Sequence, residues 1–258
     1  RVSGLTIYPV KSCAGIDVDA VTVTETGFMY DRAWMLRRAK PRASVFVTQR
    51  TEPKLALVRV KLPSEVLSPS WDGILPPDAA MTITAPGMPQ ALEVPLAPAS
   101  PLPRCKVGVW EWEGLAGDEG SEASEWFTRY LGKTNRWRRL TSKPRRRVDR
   151  EFASPGSGSA FSDGYPVLLA SDASLRELNE RLATPVPMNR FRPNVTVDGA
   201  IEPFAEDGWG GVVFGGVKSA DLVKPCSRCV MTTVDQSTGV RGGPEADPLR
   251  TLYAIRSG

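Results

Sequence analysis

KPCSRCVMTTVDQSTG, residues 224–239, is the stretch from which the rest of the chain is read. It carries two of the four cysteines, spaced C-x-x-C, with Ser227 and Arg228 between them. Pro225 disfavours a helix at Lys224, which puts the cysteine pair on a loop. The β-branched and apolar residues 230–234 predict a strand. Asp235, Ser237, Thr238 and Gly239 predict the turn that ends it. A thiolate on such a loop serves as a soft metal ligand, as a redox partner, or only as a small packed side chain.

Composition narrows the field. A chain of 258 residues, 41% of them hydrophobic, can bury a substantial core. It has no apolar run near the ~20 residues a membrane span needs, so no transmembrane segment is expected within it. The sequence opens directly into a strand-like run, and any targeting or anchoring segment is expected to precede Arg1. The formal charge of +4 is too small to require nucleic acid. Cysteines without a disulfide framework suit a reducing compartment. The chain contains no histidine. That excludes Ser-His-Asp and Cys-His nucleophiles, H-E-x-x-H zinc sites and bis-histidine haem within this segment.

Working outward, residues 4–10 predict a first strand, followed by a loop that offers Lys11 and Ser12. Residues 16–24 alternate apolar and polar, which predicts a second strand closed at Gly27. Asp31 and Arg32 begin a third. Residues 45–141 have a different texture: short β-type segments (45–49, 55–60, 81–85, 106–112) between proline-rich loops, and one helix over 121–131 with Gly132 as its stop. The aromatic stripe of that helix, Trp126, Phe127 and Tyr130, is read as core, and the block as a subdomain without chemistry of its own. The run RWRRLTSKPRRRVDR, residues 136–150, is a solvated linker or a docking surface for an acidic partner or a phosphate. ASPGSGS, 153–159, is a flexible connector. The turn Ser162-Asp163-Gly164-Tyr165-Pro166 feeds a strand over 167–170. Ser171 then caps a helix carrying Leu175, Leu178 and Leu182. Arg192 and Asn194 flank a stiffening proline ahead of a strand over 195–197, a pairing that suits capture of a phosphate or a pterin edge.

Six motifs then occur in order: YPVKSC (8–13), DRAW (31–34), SDGYP (162–166), FRPN (191–194), PFAEDGW (203–209) and CSRC-x-x-TTVD-x-x-TG. Together they resemble the MOSC-domain molybdenum enzymes of the amidoxime-reducing component family. The resemblance implies a β-rich α+β fold: a barrel-like MOSC domain from 1–32 and 143–258, with a small α+β subdomain over 33–142 inserted into it. It implies a molybdenum–molybdopterin cofactor with Cys229 as the metal ligand and catalytic residue. Lys11, Ser12, Arg32, Ser162, Asp163, Gly164, Tyr165, Arg192, Asn194, Ser227 and Arg228 would complete the cofactor shell. Thiolate suits molybdenum, and a guanidinium fork suits phosphate oxygens. The implied activity is reduction of small N-hydroxylated substrates (amidoximes and hydroxylamines, with nitrite as a further one). Electrons would come from a cytochrome b5-type donor and its NADH-dependent cytochrome b5 reductase. In the family, further strands and a late tyrosine follow the point where this sequence stops. A plausible last helix starts at Asp247 and Pro248.

Other readings stay open on the residues alone. A molybdenum cofactor sulfurase carries a similar domain as a cofactor-binding module. A zinc site could use Cys13, Cys105, Cys226 and Cys229, though the four come from distant loops. A nucleic-acid module would rest on the basic run alone. The cysteine pair separates the chemistries: Cys229→Ser abolishes turnover, because a hydroxyl is a poor replacement for a soft thiolate, while Cys226→Ser keeps most of it. Equal loss in both variants, with cofactor still bound, would make the pair a C-x-x-C redox couple instead.

Overall fold

The strand Val2–Ile7 lies inside a four-stranded sheet, between Val195–Val197 and Ile16–Asp17, with Leu169–Ser171 on the outer edge. The computed structural model describes residues 1–38, 46–132, 138–142, 146–149, 151–153, 156–216, 218–243 and 247–256. Leu169–Ser171 runs parallel to Val195–Val197 and is joined to it through helix α2, Asp172–Asn179. Val2–Ile7 runs antiparallel to both of its neighbours. Ser171 caps α2 as its sequence requires: the hydroxyl accepts from the Ser174 N–H at 3.1 Å. Leu178 and Leu182 are buried with Phe191, and Leu252 and Ile255 of helix α3 (Pro248–Arg256) pack against them. Asp247 holds the start of α3 by accepting from Leu249 N–H at 2.9 Å.

A second, antiparallel sheet is ordered Trp34–Arg38, Arg138–Ser142, Trp112–Asp118, Arg104–Val109. Its first strand separates two cores, as a period of two dictates. Trp34 and Leu36 enter the large cluster with Met81, Ile83 and Phe127. Met35 points to the other side, against Val107, Val109 and Phe161. Helix α1, Gly120–Leu131, ends at Gly132, whose φ of 66° supplies the left-handed stop. Trp126 and Phe127 are buried core, as the aromatic stripe predicts. The protein is thus α+β and rich in strands, and among the described residues no sheet closes into a barrel. No helix among them is long and apolar enough to cross a membrane.

Several local expectations fail for identifiable reasons. Residues 230–234 do not form a strand; Val230–Thr233 is a 3-10 turn. Thr232 and Thr233 turn their hydroxyls back onto the carbonyls of Cys229 and Val230, at 3.0 and 2.7 Å, and this local bonding displaces the ladder. The segment 16–24 is not one strand. It leaves the sheet after Asp17 and re-forms as the hairpin Val23–Thr24 with Gly27–Phe28. Pro53 at the first helical position starts a 3-10 turn, Pro53–Leu57, where β structure is predicted from 55. The predicted segment 106–112 instead spans a strand end, a turn and the start of the next strand, Trp112–Asp118. Of the predicted segment 45–49, Val45 lies outside the described residues and Phe46 bridges Arg37.

The basic run is the largest correction. Residues 136, 137, 143–145 and 150 lie outside the described ones, but Arg138–Ser142 is a sheet strand and Arg146–Arg147 pairs with Gly158–Ser159. Arg146 is buried. Its guanidinium donates to the carbonyls of Ala160 (3.1 Å), Asp163 (2.7 Å) and Gly164 (3.3 Å), and to that of Ser162. Neither a linker nor a surface charge describes this residue, which holds the 160–164 loop in shape. Arg147 alone of this pair is exposed.

Candidate functional site

Strand directions bring three loops to one place. The C-terminal end of Val2–Ile7 lies beside the N-terminal ends of Val195–Val197 and Leu169–Ser171: Leu5 pairs with Val195, and Val195 with Leu169. Loops 8–13, 161–168 and 188–194 therefore meet at one end of the sheet, although the outermost are some 180 residues apart in sequence.

Asn194 ties them together. Its Oδ1 accepts from Arg32 (2.7 Å) and from Leu168 N–H (3.2 Å), and its Nδ2 donates to Thr6 O (3.0 Å) and Asp31 (2.9 Å). All four positions of the amide are in use, so Asn194 orients its neighbours rather than offering itself to a ligand. Arg32 bonds Asp31 (2.6 Å) and the Arg192 carbonyl (3.1 Å). The Lys11 ammonium donates to Phe161 O (2.6 Å) and Asp163 (2.5 Å), and the other carboxylate oxygen of Asp163 takes Arg50 at 3.2 Å. Arg192 donates to Cys13 O (2.6 Å) and reaches Gln236 Oε1 at 3.4 Å. The guanidinium carbons of Arg32 and Arg192 stand 4.4 and 4.2 Å from the Tyr8 ring centre, each a cation–π contact.

The electrostatics of this cluster are unbalanced. Burial pulls Lys11 down to about 8, against the pull of Asp163. Burial likewise lowers Arg192 to about 10. Burial would raise Asp163, but the Lys11 ammonium and then Arg50 outweigh it and hold the carboxyl well below its ordinary range. Arg32 has Asp31, Lys11 and Arg50 share Asp163, and Arg190 has Asp235. Among the described residues no carboxylate pairs with Arg192, which is 7% exposed. Net positive charge held out of water asks for an anion. Backbone strain gathers at the same place. Ser12, Arg32 and Arg192 sit at φ of 69°, 46° and 56°, each a left-handed conformation that costs a non-glycine residue about 1–3 kcal/mol. The residues present therefore fit a polyanionic group such as a pterin phosphate.

The expected site residues divide into two sets. Lys11, Ser12, Arg32, Ser162, Asp163, Gly164, Arg192 and Asn194 belong to the cluster, with Ser162 and Gly164 contributing carbonyls to Arg146. The cysteine loop lies beside it: the Arg228 guanidinium is 5.4 Å from the Phe191 ring centre and 3.5 Å from the Phe191 carbonyl. Ser227, Arg228 and Tyr165 line a cavity of ≈ 1450 Å³ together with Cys226 and Phe191. Cys229 is half-buried at the start of the 3-10 turn, while Cys226 is exposed. Cys13 lies in the core, where burial pushes its thiol up to about 12. That separation leaves the four-cysteine zinc reading without a site. Among the described residues no three of His, Cys, Asp and Glu gather as metal ligands.

Sequence reading missed Gln49, Arg50, Arg146, Arg190 and Gln236. Gln49 and Arg50 come from the block read as free of chemistry, and nothing in VTQR distinguishes them from surface residues. Arg190 pairs with Asp235 at 2.9 Å, and the Asp235 turn forms as predicted, with Ser237 and Thr238 N–H groups on its carboxylate. Gly239 closes that turn at φ 66°, and a Cβ there would lie 3.0 Å from Leu57.

Comparison with known proteins gives a consistent result. Residues 1–134 match the model of the MOSC N-terminal beta barrel domain, and residues 157–258 that of the MOSC domain. The chain is similar to mitochondrial amidoxime reducing component 2 of Bos taurus: 36% identical over 265 residues, covering 99% of this chain and 72% of that protein. It is 34% identical to the Rattus norvegicus component 2 and 33% to Homo sapiens component 1, again covering 99% of this chain and 72% of each relative.

The depressed Lys11 gives a test by pH. Its pKa of about 8 in the fold lies below the ordinary 10.5, so between those values the unfolded chain binds more protons. Stability then rises with pH across that window. Burial raises the Cys13 thiol and so works in the opposite direction near the top of this window, which makes the difference the informative quantity: the unfolding free energy of wild type minus that of Lys11→Met in urea should rise between pH 8 and 10.5. Parallel profiles for the two proteins would mean that burial does not penalise the Lys11 charge.

Proposed function

The chain belongs to the MOSC-domain family of the amidoxime-reducing components, and on that premise we propose that it is a molybdenum-cofactor-dependent reductase of N-hydroxylated compounds. The observation that carries this reading is the buried cationic cluster, in which Arg192 has no acidic partner among the described residues. Lys11, Arg32 and Arg192 would hold the phosphate and pterin of the cofactor, and Cys229 its metal. The bound cofactor supplies the two-electron redox chemistry that no side chain of this segment provides. Asn194 and Asp31 fix Arg32, Arg146 fixes the 160–164 loop, and the turn at 235–239 fixes the chain leading out of the cysteine loop.

The overall change removes the hydroxyl oxygen of an amidoxime or hydroxylamine as water and consumes two electrons and two protons; nitrite is a further candidate substrate. The cavity of ≈ 1450 Å³ lined by Ser227 and Arg228 has room for small organic substrates of this kind, and its lining includes neither Cys229 nor Lys11, Arg32 and Arg192. Electrons are proposed to come from a cytochrome b5-type protein and its NADH-dependent reductase. The donor surface is not the basic run as a whole, since Arg146 is inside the protein.

The test is an assay with benzamidoxime, NADH, a cytochrome b5 and its reductase. Benzamidine should form only when all components are present, and Arg192→Ala should lower molybdenum per chain more than it lowers turnover per molybdenum atom. A protein that retains a full complement of molybdenum but never reduces the amidoxime would be a cofactor-binding module and not a reductase.

A further inference from the structure

Gln49 and Gln236 face each other as a reciprocal amide pair. Gln49 Nε2 donates to Gln236 Oε1 at 3.0 Å, and Gln236 Nε2 donates back to Gln49 Oε1 at 2.9 Å. Each amide has a second tie. Gln49 Nε2 also donates to Ser12 O (2.8 Å), and Gln236 Nε2 to Val234 O (3.0 Å). Both side chains are buried, Gln49 at 0% and Gln236 at 8% exposure. The carbonyls of Ser12 and Val234 fix which amide atom is which, because an amide oxygen turned towards either would meet another acceptor. The pair therefore joins the strained Ser12 loop, the Gln49 loop and the chain beyond the cysteines at one point.

The remaining contact of this pair is to Arg192, whose Nη1 lies 3.4 Å from Gln236 Oε1. That position decides how much charge Arg192 keeps. Its neighbours Arg32, partly exposed, and Lys11, buried, each meet a carboxylate directly. Arg192 instead meets a carbonyl, an amide oxygen and the Tyr8 ring face, all of them neutral. A glutamate at position 236 would have the same shape, but it would place a full negative charge where an anionic ligand needs the guanidinium free. We propose that Gln49 and Gln236 form a charge-neutral clamp that positions Arg192 for an anionic ligand without cancelling its charge. The proposal rests on the anion-site reading given above and adds to it two positioning residues, neither of which touches the reacting atoms.

The clamp makes an ordering that a packing role would not. Gln236→Glu keeps the shape but turns a carboxylate onto the Gln49 and Val234 carbonyl oxygens, whereas Gln236→Met removes every hydrogen bond of the amide without adding charge. If the pair served packing alone, the fold of both variants would suffer while phosphate binding by the folded protein stayed at the wild-type value. The clamp predicts otherwise: Gln236→Glu should weaken binding of inorganic phosphate to cofactor-free protein by about tenfold or more, the value of one charge-assisted contact, and Gln236→Met by less. Titration calorimetry at low ionic strength reads both constants, with circular dichroism checking the fold of each variant. The same order, Glu worse than Met, is expected at Gln49, so the failure of one variant to fold leaves the other position to decide. Equal losses, or Met worse than Glu, would overturn the clamp. Phosphate binding is read without molybdenum. A wild type that purifies without the metal but shows the expected order would refute the reductase reading and leave the clamp standing.

Discussion

Lys11 and Arg192 are both taken out of water at one end of a sheet, and the carboxylates around them are too few to match the positive charge. Asp31 goes to Arg32, and Asp163 is divided between Lys11 and Arg50. Burying charge without full compensation opposes folding, and the same burial is what lowers the pKa of Lys11 and of Arg192. The fold holds this arrangement in place by other means. The large core that holds Trp34, Leu36, Ile83 and Phe127 also takes in Val10 and Cys13 on either side of the Lys11 loop, and it supplies apolar burial that the cluster does not.

The cluster is held by a few saturated polar groups rather than by many contacts. Asn194 uses its whole amide to fix Arg32 and Asp31 between two strands. Arg146 uses its guanidinium to gather the carbonyls of the 160–164 loop, which sets where Asp163 meets Lys11. The left-handed backbone at Ser12, Arg32 and Arg192 is the strain that this over-determination sustains. A site of this kind is preorganised: its ligand meets donors already in position and does not have to order them.

Much of this was legible in the sequence, and the exceptions follow a pattern. Ser171 as a cap, Gly132 as a stop, Asp247 at the head of α3 and the Asp235 turn are local rules, and the structure obeys them. The segment 230–234 was not legible, because two threonine hydroxyls bond backward and override the β-branched pattern. Arg146 was not legible either. Its burial depends on carbonyls presented by a loop some 14–18 residues away, and a run of arginines contains no mark of which one turns inward. Gln49 reads as an ordinary loop amide until Gln236, 187 residues away in sequence, is brought against it. Local pattern thus identified the caps, stops and turns, and the family resemblance pointed to Lys11, Arg32, Asp163 and Arg192, while Arg50, Arg146 and the neutral groups that aim those charges depend on tertiary contact.

The central claim is that the unbalanced charge exists to hold an anionic molybdenum pterin. Elemental analysis of the protein purified from a host that makes the cofactor, combined with pterin fluorescence after denaturation, tests it most directly. The account predicts about one molybdenum per chain with a matching amount of pterin, and less of both when Arg192 is replaced by alanine. A well-folded protein that carries neither molybdenum nor pterin, and whose composition does not respond to loss of Arg192, would contradict it.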